Sequence, residues 1–143
     1  MLIPTQVTSS AIVLIAQPGC TPTARIPCNG QFAAPVATLS ALRGSAVLIG
    51  IRKHVRLVEI NLVRTSDCAV YSTGEFLRLG CDEAKATWEP ATMRFDATSL
   101  HWQILIRSPK RGSYTVRARI RFVDNSVSRR FVAGQNVLRI NAT

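Results

Sequence analysis

The stretch Ser113-Tyr114-Thr115-Val116-Arg117-Ala118-Arg119-Ile120-Arg121-Phe122-Val123 decides how this chain is read. Side chains of a β-strand alternate between two faces. Tyr114, Val116, Ala118, Ile120 and Phe122 therefore share one face, and Thr115, Arg117, Arg119 and Arg121 share the other. An apolar face opposite a basic one describes a half-buried antiparallel strand, packed on a core and solvated on its outer side. Pro109-Lys110-Arg111-Gly112 supplies the turn before it and Asp124-Asn125 the turn after it.

Working outward, Leu100 to Ile106 sets Trp102, Ile104 and Ile106 on one face. Strand-like stretches also occupy 9–17, 34–41, 45–52, 55–64, 67–72, 75–80, 93–97, 126–133 and 136–141. Pro18-Gly19, Arg43-Gly44, Thr73-Gly74, Pro90 and Gly134 punctuate them. Short strands with turn signals about every ten residues predict an all-β sandwich. No stretch is free to form crossover helices, so the sheets are expected to be antiparallel, with seven to nine strands. The expected core holds Tyr114, Val116, Ala118, Ile120, Phe122, Trp102 and Ile104.

Trp102 followed by Gly112-Ser113-Tyr114-Thr115-Val116-Arg117-Ala118 and then Asp124-Asn125 resembles the late strands of bacterial immunoglobulin-like surface domains. Those strands read Trp, then Gly-x-Tyr-x-Val-x-Ala-x-Ala, then Asp and a turn. Pro35 to Leu39 and Ala46 to Gly50 resemble the opening strands of that family, and Val55 to Val63 the strand that follows. The resemblance spans 35–133 and implies an immunoglobulin-like sandwich. It also implies a corner at Tyr114, whose hydroxyl would bond to nearby backbone. The family's final glycine after the Asp turn is missing, and residues 1–34 have no counterpart in it. The chain thus divides into an N-terminal strand and Cys/Pro loop extension (1–34) and a sandwich (35–143). A fold of this kind hosts many functions, so function must be read from surfaces.

A chain of 143 residues with 47% hydrophobic content can bury a real core. Charged residues make up 18%, below the roughly 25% of an average globular protein. So sparse a charged surface favours a subunit whose faces are covered by neighbours. The net charge of +10 is uneven: residues 101–143 hold nine Lys/Arg against Asp124 alone. The best apolar run, Ala11 to Ala16, is six residues long, far short of the ~20 of a membrane-spanning helix. No Lys or Arg precedes Arg25, so the start does not read as a standard secretory signal.

Four cysteines allow three disulfide connectivities. The local pairs Cys20–Cys28 and Cys68–Cys81 would each pin a loop flanking a strand, and are expected as disulfides. Free buried thiols are the alternative. A zinc site is disfavoured, because it wants Cys-x₂₋₄-Cys spacing or nearby histidines. Disulfides would place the protein outside the cytosol, in the periplasm or at the cell surface.

Catalytic chemistry finds little support. His54 and His101 read as surface or strand-edge residues, and no Gly-x-Ser-x-Gly elbow is present. Asp82 and Glu83 are the only adjacent carboxylates and follow Cys81 in a loop. No phosphate-cradling glycine loop or His/Cys cluster occurs. The expectation is a non-enzymatic protein with no catalytic residues, cofactor or metal.

Two surfaces stand out instead. Arg117, Arg119 and Arg121 are spaced about 6.6–6.8 Å apart along their strand, close to phosphate spacing. With Arg129 and Arg130 they form a basic face for a polyanion or an acidic protein surface. The plainer reading is a solvated sheet face that discourages stray edge pairing. Tyr114 and Phe122 lie on the opposite face, so no exposed aromatic interleaves with the arginines along this strand. The second surface is the strand around Ile12, Val13, Leu14 and Ile15. It can close its own sandwich or add to the sheet edge of a neighbour. The functional expectation is a structural or accessory subunit of an extracellular or envelope assembly. It would take protein partners in a homo- or hetero-oligomer and no small-molecule substrate. The alternatives are a binding module for acidic glycan, lipid headgroup or nucleic acid, and a virion decoration protein.

Overall fold

The computed structural model describes residues 10–49, 54–96 and 99–143. The chain forms two packed β-sheets. One holds β1 (Ser10–Ile15), β3 (Ala41–Ile49), β9 (Ser99–Leu105) and β8 (Thr92–Phe95), adjacent in that order and all antiparallel. The other runs β2 (Gln31–Ala34), β11 (Val137–Ala142), β10 (Gly112–Phe122), β4 (Val55–Arg64), β5 (Val70–Ser72) and β6 (Glu75–Leu77). The short β7 (Glu89–Pro90) also pairs with β4. Only β2 and β11 run parallel. Eleven strands are therefore described, of which β5, β6 and β7 are two or three residues long. A short helix, α1 (Cys81–Lys85), lies between β6 and β7.

β10 sits near the centre of its sheet, as its alternation predicts. Tyr114, Val116, Ala118 and Ile120 are fully buried and Phe122 nearly so. They meet Val58, Ile60 and Leu62 of β4 and Leu138 and Ile140 of β11 in one core. The other sheet contributes Val13, Ile15, Leu42, Ala46, Leu100, Trp102 and Ile104. The corner expected at Tyr114 is present: its hydroxyl donates to the Lys110 carbonyl at 2.6 Å. That bond closes the 110–114 turn and satisfies a polar atom at the margin of the core.

Several predicted boundaries move. The stretch 126–133 is a loop rather than a strand: past the Gly112–Arg117 span that β11 covers, it meets the edge of β10 through a single bridge, Val127 opposite Arg121. The loop is held instead by Asn136, whose side-chain amide donates to the Arg130 carbonyl while its oxygen accepts from Val132 N–H. The stretch 34–41 splits into the end of β2, Pro35 and a 3-10 turn at Val36–Ser40. The strand placed at 67–72 starts only at Val70. Before it the Asp67 carboxylate accepts both Arg64 Nε (2.9 Å) and Nη2 (2.7 Å), together with the Ala69 N–H (3.1 Å). These bonds, the Arg64 pair foremost, hold the Asp67 carboxyl well below the usual carboxylate range.

Both expected disulfides form. Cys20–Cys28 closes the loop after β1, and Cys68–Cys81 ties the β4–β5 turn to the start of α1. They point to an oxidising compartment. The described part of the N-terminal extension packs into the sandwich, giving β1 to one sheet and β2 to the other. The Cys20–Cys28 loop is itself pinned to the body. Cys28 N–H donates to Gly134 O at 3.0 Å, and Gln135 Nε2 donates to the carbonyls of Thr23 and Ala24.

Candidate functional site

The outward side chains of β10 face those of β4, in register. Arg117 lies opposite Asn61, and Arg119 opposite Glu59. Cross-strand neighbours on one face approach within reach of long side chains, and here they are bonded. Asn61 Oδ1 accepts Arg117 Nε (3.2 Å) and Nη2 (3.1 Å). Its amide nitrogen donates to the carbonyls of Ala84 (2.7 Å) and Thr87 (2.8 Å), docking α1 on the sheet. Arg117 Nη2 also donates to the Lys85 carbonyl at 2.6 Å. Glu59 Oε1 accepts both Arg119 Nε (2.9 Å) and Arg121 Nε (3.2 Å).

Two aromatic rings close over these arginines. Trp88 arrives on the chain leaving α1, and Phe131 on the loop 126–133. Their rings stack at 6.1 Å between centroids, 30° apart in plane. The Arg117 guanidinium lies 5.2 Å from the Trp88 ring and 5.7 Å from the Phe131 ring. That of Arg119 sits 4.0 Å over Trp88. Such contacts stabilise a desolvated cation by about 0.5–2 kcal/mol each. Burial, and then the charge of Arg119, pull the Arg117 guanidinium below its ordinary proton affinity.

The basic row predicted from the sequence thus shares one face, but it is not a freely solvated one. The side chains of Arg119 and Arg121 are only 17% and 26% exposed. Arg129 and Arg130 belong to the loop and are exposed; Arg129 lines the same shallow cleft as Lys85, Trp88, Arg117, Arg119 and Phe131. Sequence reading missed Trp88, Phe131, Glu59, Asn61 and Lys85 as members of this cluster. A signal existed in β4, where Glu59 and Asn61 alternate with Val58, Ile60 and Leu62. Polar groups at those positions must face the partner strand's arginines if β4 and β10 pair. Trp88 and Phe131 left no such trace, because each comes from an irregular segment.

The strand around Ile12 to Ile15 lies at the edge of the four-stranded sheet. Val13 and Ile15 are in the core, Leu14 is buried on the outer side, and Ile12 is half-buried. Ala16 N–H bonds inward to Arg43 O, whereas Ile15 N–H bonds outward to Gln135 O at 2.7 Å. Alternation along the strand then turns the N–H groups of Ala11 and Val13 to the outer edge. Neither has a hydrogen-bond partner among the described residues.

Among the described residues, no helix is long and apolar enough to cross a membrane, and no three His, Cys, Asp or Glu side chains gather as metal ligands. Fold and surfaces define a disulfide-bonded β-sandwich with a cationic–aromatic face and an edge strand, β1, whose outer side has no paired strand among the described residues. Comparison with protein-family models and with curated proteins finds no match to this chain.

Proposed function

We propose that the chain is a non-enzymatic, immunoglobulin-like structural subunit of an extracellular or envelope-associated assembly, and that copies join along β1. The observation that carries this reading is the composition of that edge. Ser10-Ala11-Ile12-Val13-Leu14-Ile15 holds no charge and no proline, which are the devices natural proteins use to keep an edge from pairing. Of the other outer strands, β2 is also uncharged but is only four residues long and is stopped by Pro35, and the remaining two are charged. β8 carries Arg94, and β6 carries Glu75 with Arg78 just beyond it. A second copy offers the same uncharged edge, so antiparallel β1–β1 pairing about a two-fold axis closes on itself. Such pairing continues the four-stranded sheet across the interface by strand addition. A low share of charged residues and two disulfides support a role outside the cytosol in contact with neighbours.

Ala11→Pro tests this. The proline removes an N–H that points away from β3, so the chain's own ladder loses no bond. The unaltered chain is expected to sediment at about double its 15.7 kDa mass. The variant should sediment as a folded monomer with an unchanged far-ultraviolet spectrum. A variant that still associates at the same concentration would remove β1 from the interface.

A further inference from the structure

The outer face of the larger sheet holds more positive charge and more hydrogen-bond donors than its own residues use. Arg119 and Arg121 share the carboxylate of Glu59, and Arg117 beside them bonds the neutral oxygens of Asn61 and Lys85, with no ion pair of its own among the described residues. Arg119 spends only its Nε, leaving both terminal nitrogens without a partner among the described residues. Arg117 Nη1 and Arg121 Nη2 are likewise unspent. Charges withdrawn from water are costly unless opposed, and here the opposition is incomplete. The excess borders a cleft of about 340 Å³, with Lys85 and Arg129 at its rim and the Trp88 and Phe131 rings in its wall. Burial first, and the neighbouring charge of Arg119 second, lower the proton affinity of Arg117.

We propose that this cleft binds a sulfate or carboxylate group of an acidic polysaccharide. Terminal guanidinium nitrogens present paired N–H donors in a fork that matches an oxyanion. Half-buried rings beside them offer an apolar surface to the C–H face of the sugar that carries the anion. The exposed Phe131 is the accessible one. A nucleobase fits less well, because base stacking needs a free ring face. Trp88 already carries Arg119 at 4.0 Å and stacks against Phe131 at 6.1 Å. This inference is independent of pairing along β1, which lies in the other sheet.

The experiment titrates a sulfated octasaccharide and a short polyuronate into the full chain at moderate salt, following tryptophan emission. Trp102 is buried, so a change in emission reports Trp88. A saturable change is expected with at least one of the two. Arg119→Gln should weaken it about tenfold, the scale of one lost charge-assisted contact. Because Arg119 also holds Glu59, the rim variant Arg129→Gln is included and should weaken binding severalfold without loss of stability, while Phe131→Ser should weaken it at a small cost in stability, since its ring also stacks on Trp88. Arg139→Gln, exposed on β11 and outside the cleft, should bind as the unaltered chain does. Four results overturn the proposal. They are absence of saturable binding, equal loss with Arg139→Gln, equally tight binding of polyglutamate or an oligonucleotide of matched charge, and free sulfate matching the oligosaccharide mole for mole.

Discussion

Glu59→Gln is expected to lower the unfolding free energy by about 3 kcal/mol, the scale of breaking a buried ion pair by removing one partner. Glu59 is 7% exposed and one of its oxygens receives Nε–H from both Arg119 and Arg121. Glutamine keeps the shape and one acceptor oxygen but removes the only carboxylate bonded to the row among the described residues. Three neighbouring guanidiniums then repel one another, two of them against the Trp88 and Phe131 rings. Urea unfolding measures the loss, with exposed Glu75→Gln as the control, expected within about 0.5 kcal/mol of the unaltered chain. Part of the loss should return on adding sulfate, since an anion in the cleft replaces the missing charge. A loss as small as that of Glu75→Gln would mean that water, not Glu59, screens the row.

Gly44→Ala is expected to cost about 2–3 kcal/mol, at the upper end for overpacking a filled core. Gly44 lies on β3 opposite Trp102, beside β1. A Cβ there would overlap the Leu14 carbonyl oxygen and come within 2.7 Å of the Trp102 ring. Neither neighbour gives way easily. One is strand backbone, and the other is a buried indole ring, 2% exposed. The relief available is movement of β1 away from β3, so the variant should lose near-ultraviolet dichroism from Trp102 before its strand content. Gly19→Ala is the comparison. Gly19 has φ +73° but nothing within 4 Å of a Cβ, so it loses only the roughly 1 kcal/mol of an unfavourable backbone conformation. Equal midpoints for the two would show that Gly44 is not packed as described.

These two positions also mark how far the sequence could be read. The core was legible because β10 and β9 alternate cleanly, and Tyr114, Val116, Ala118, Ile120, Trp102 and Ile104 are all buried. Both disulfides were legible from local spacing. The face of the arginine row was legible too, but its surroundings were not. Glu59 and Asn61 come from about sixty residues upstream, and Trp88 and Phe131 from segments without period. Periodicity tells which way a side chain points on its own strand and nothing of what folds over it. The stretch 126–133 shows the same limit. It has strand composition, yet only Val127 bridges to β10, opposite Arg121, while bonds to the Asn136 side chain hold Arg130 and Val132 in a loop.

The central claim is that β1 pairs with a second copy of itself. The most direct test is amide hydrogen exchange at Ala11 and Val13 as protein concentration rises. Both N–H groups point away from β3, so in an isolated chain they exchange faster than Leu14, whose N–H faces β3, and half-buried Ala11 faster than buried Val13. Pairing along β1 predicts that protection at Ala11 and Val13 grows with concentration towards that of Leu14, and that edge amides of β8 stay unchanged. Fast exchange at Ala11 and Val13 at every concentration, in a sample that nevertheless associates, would contradict it.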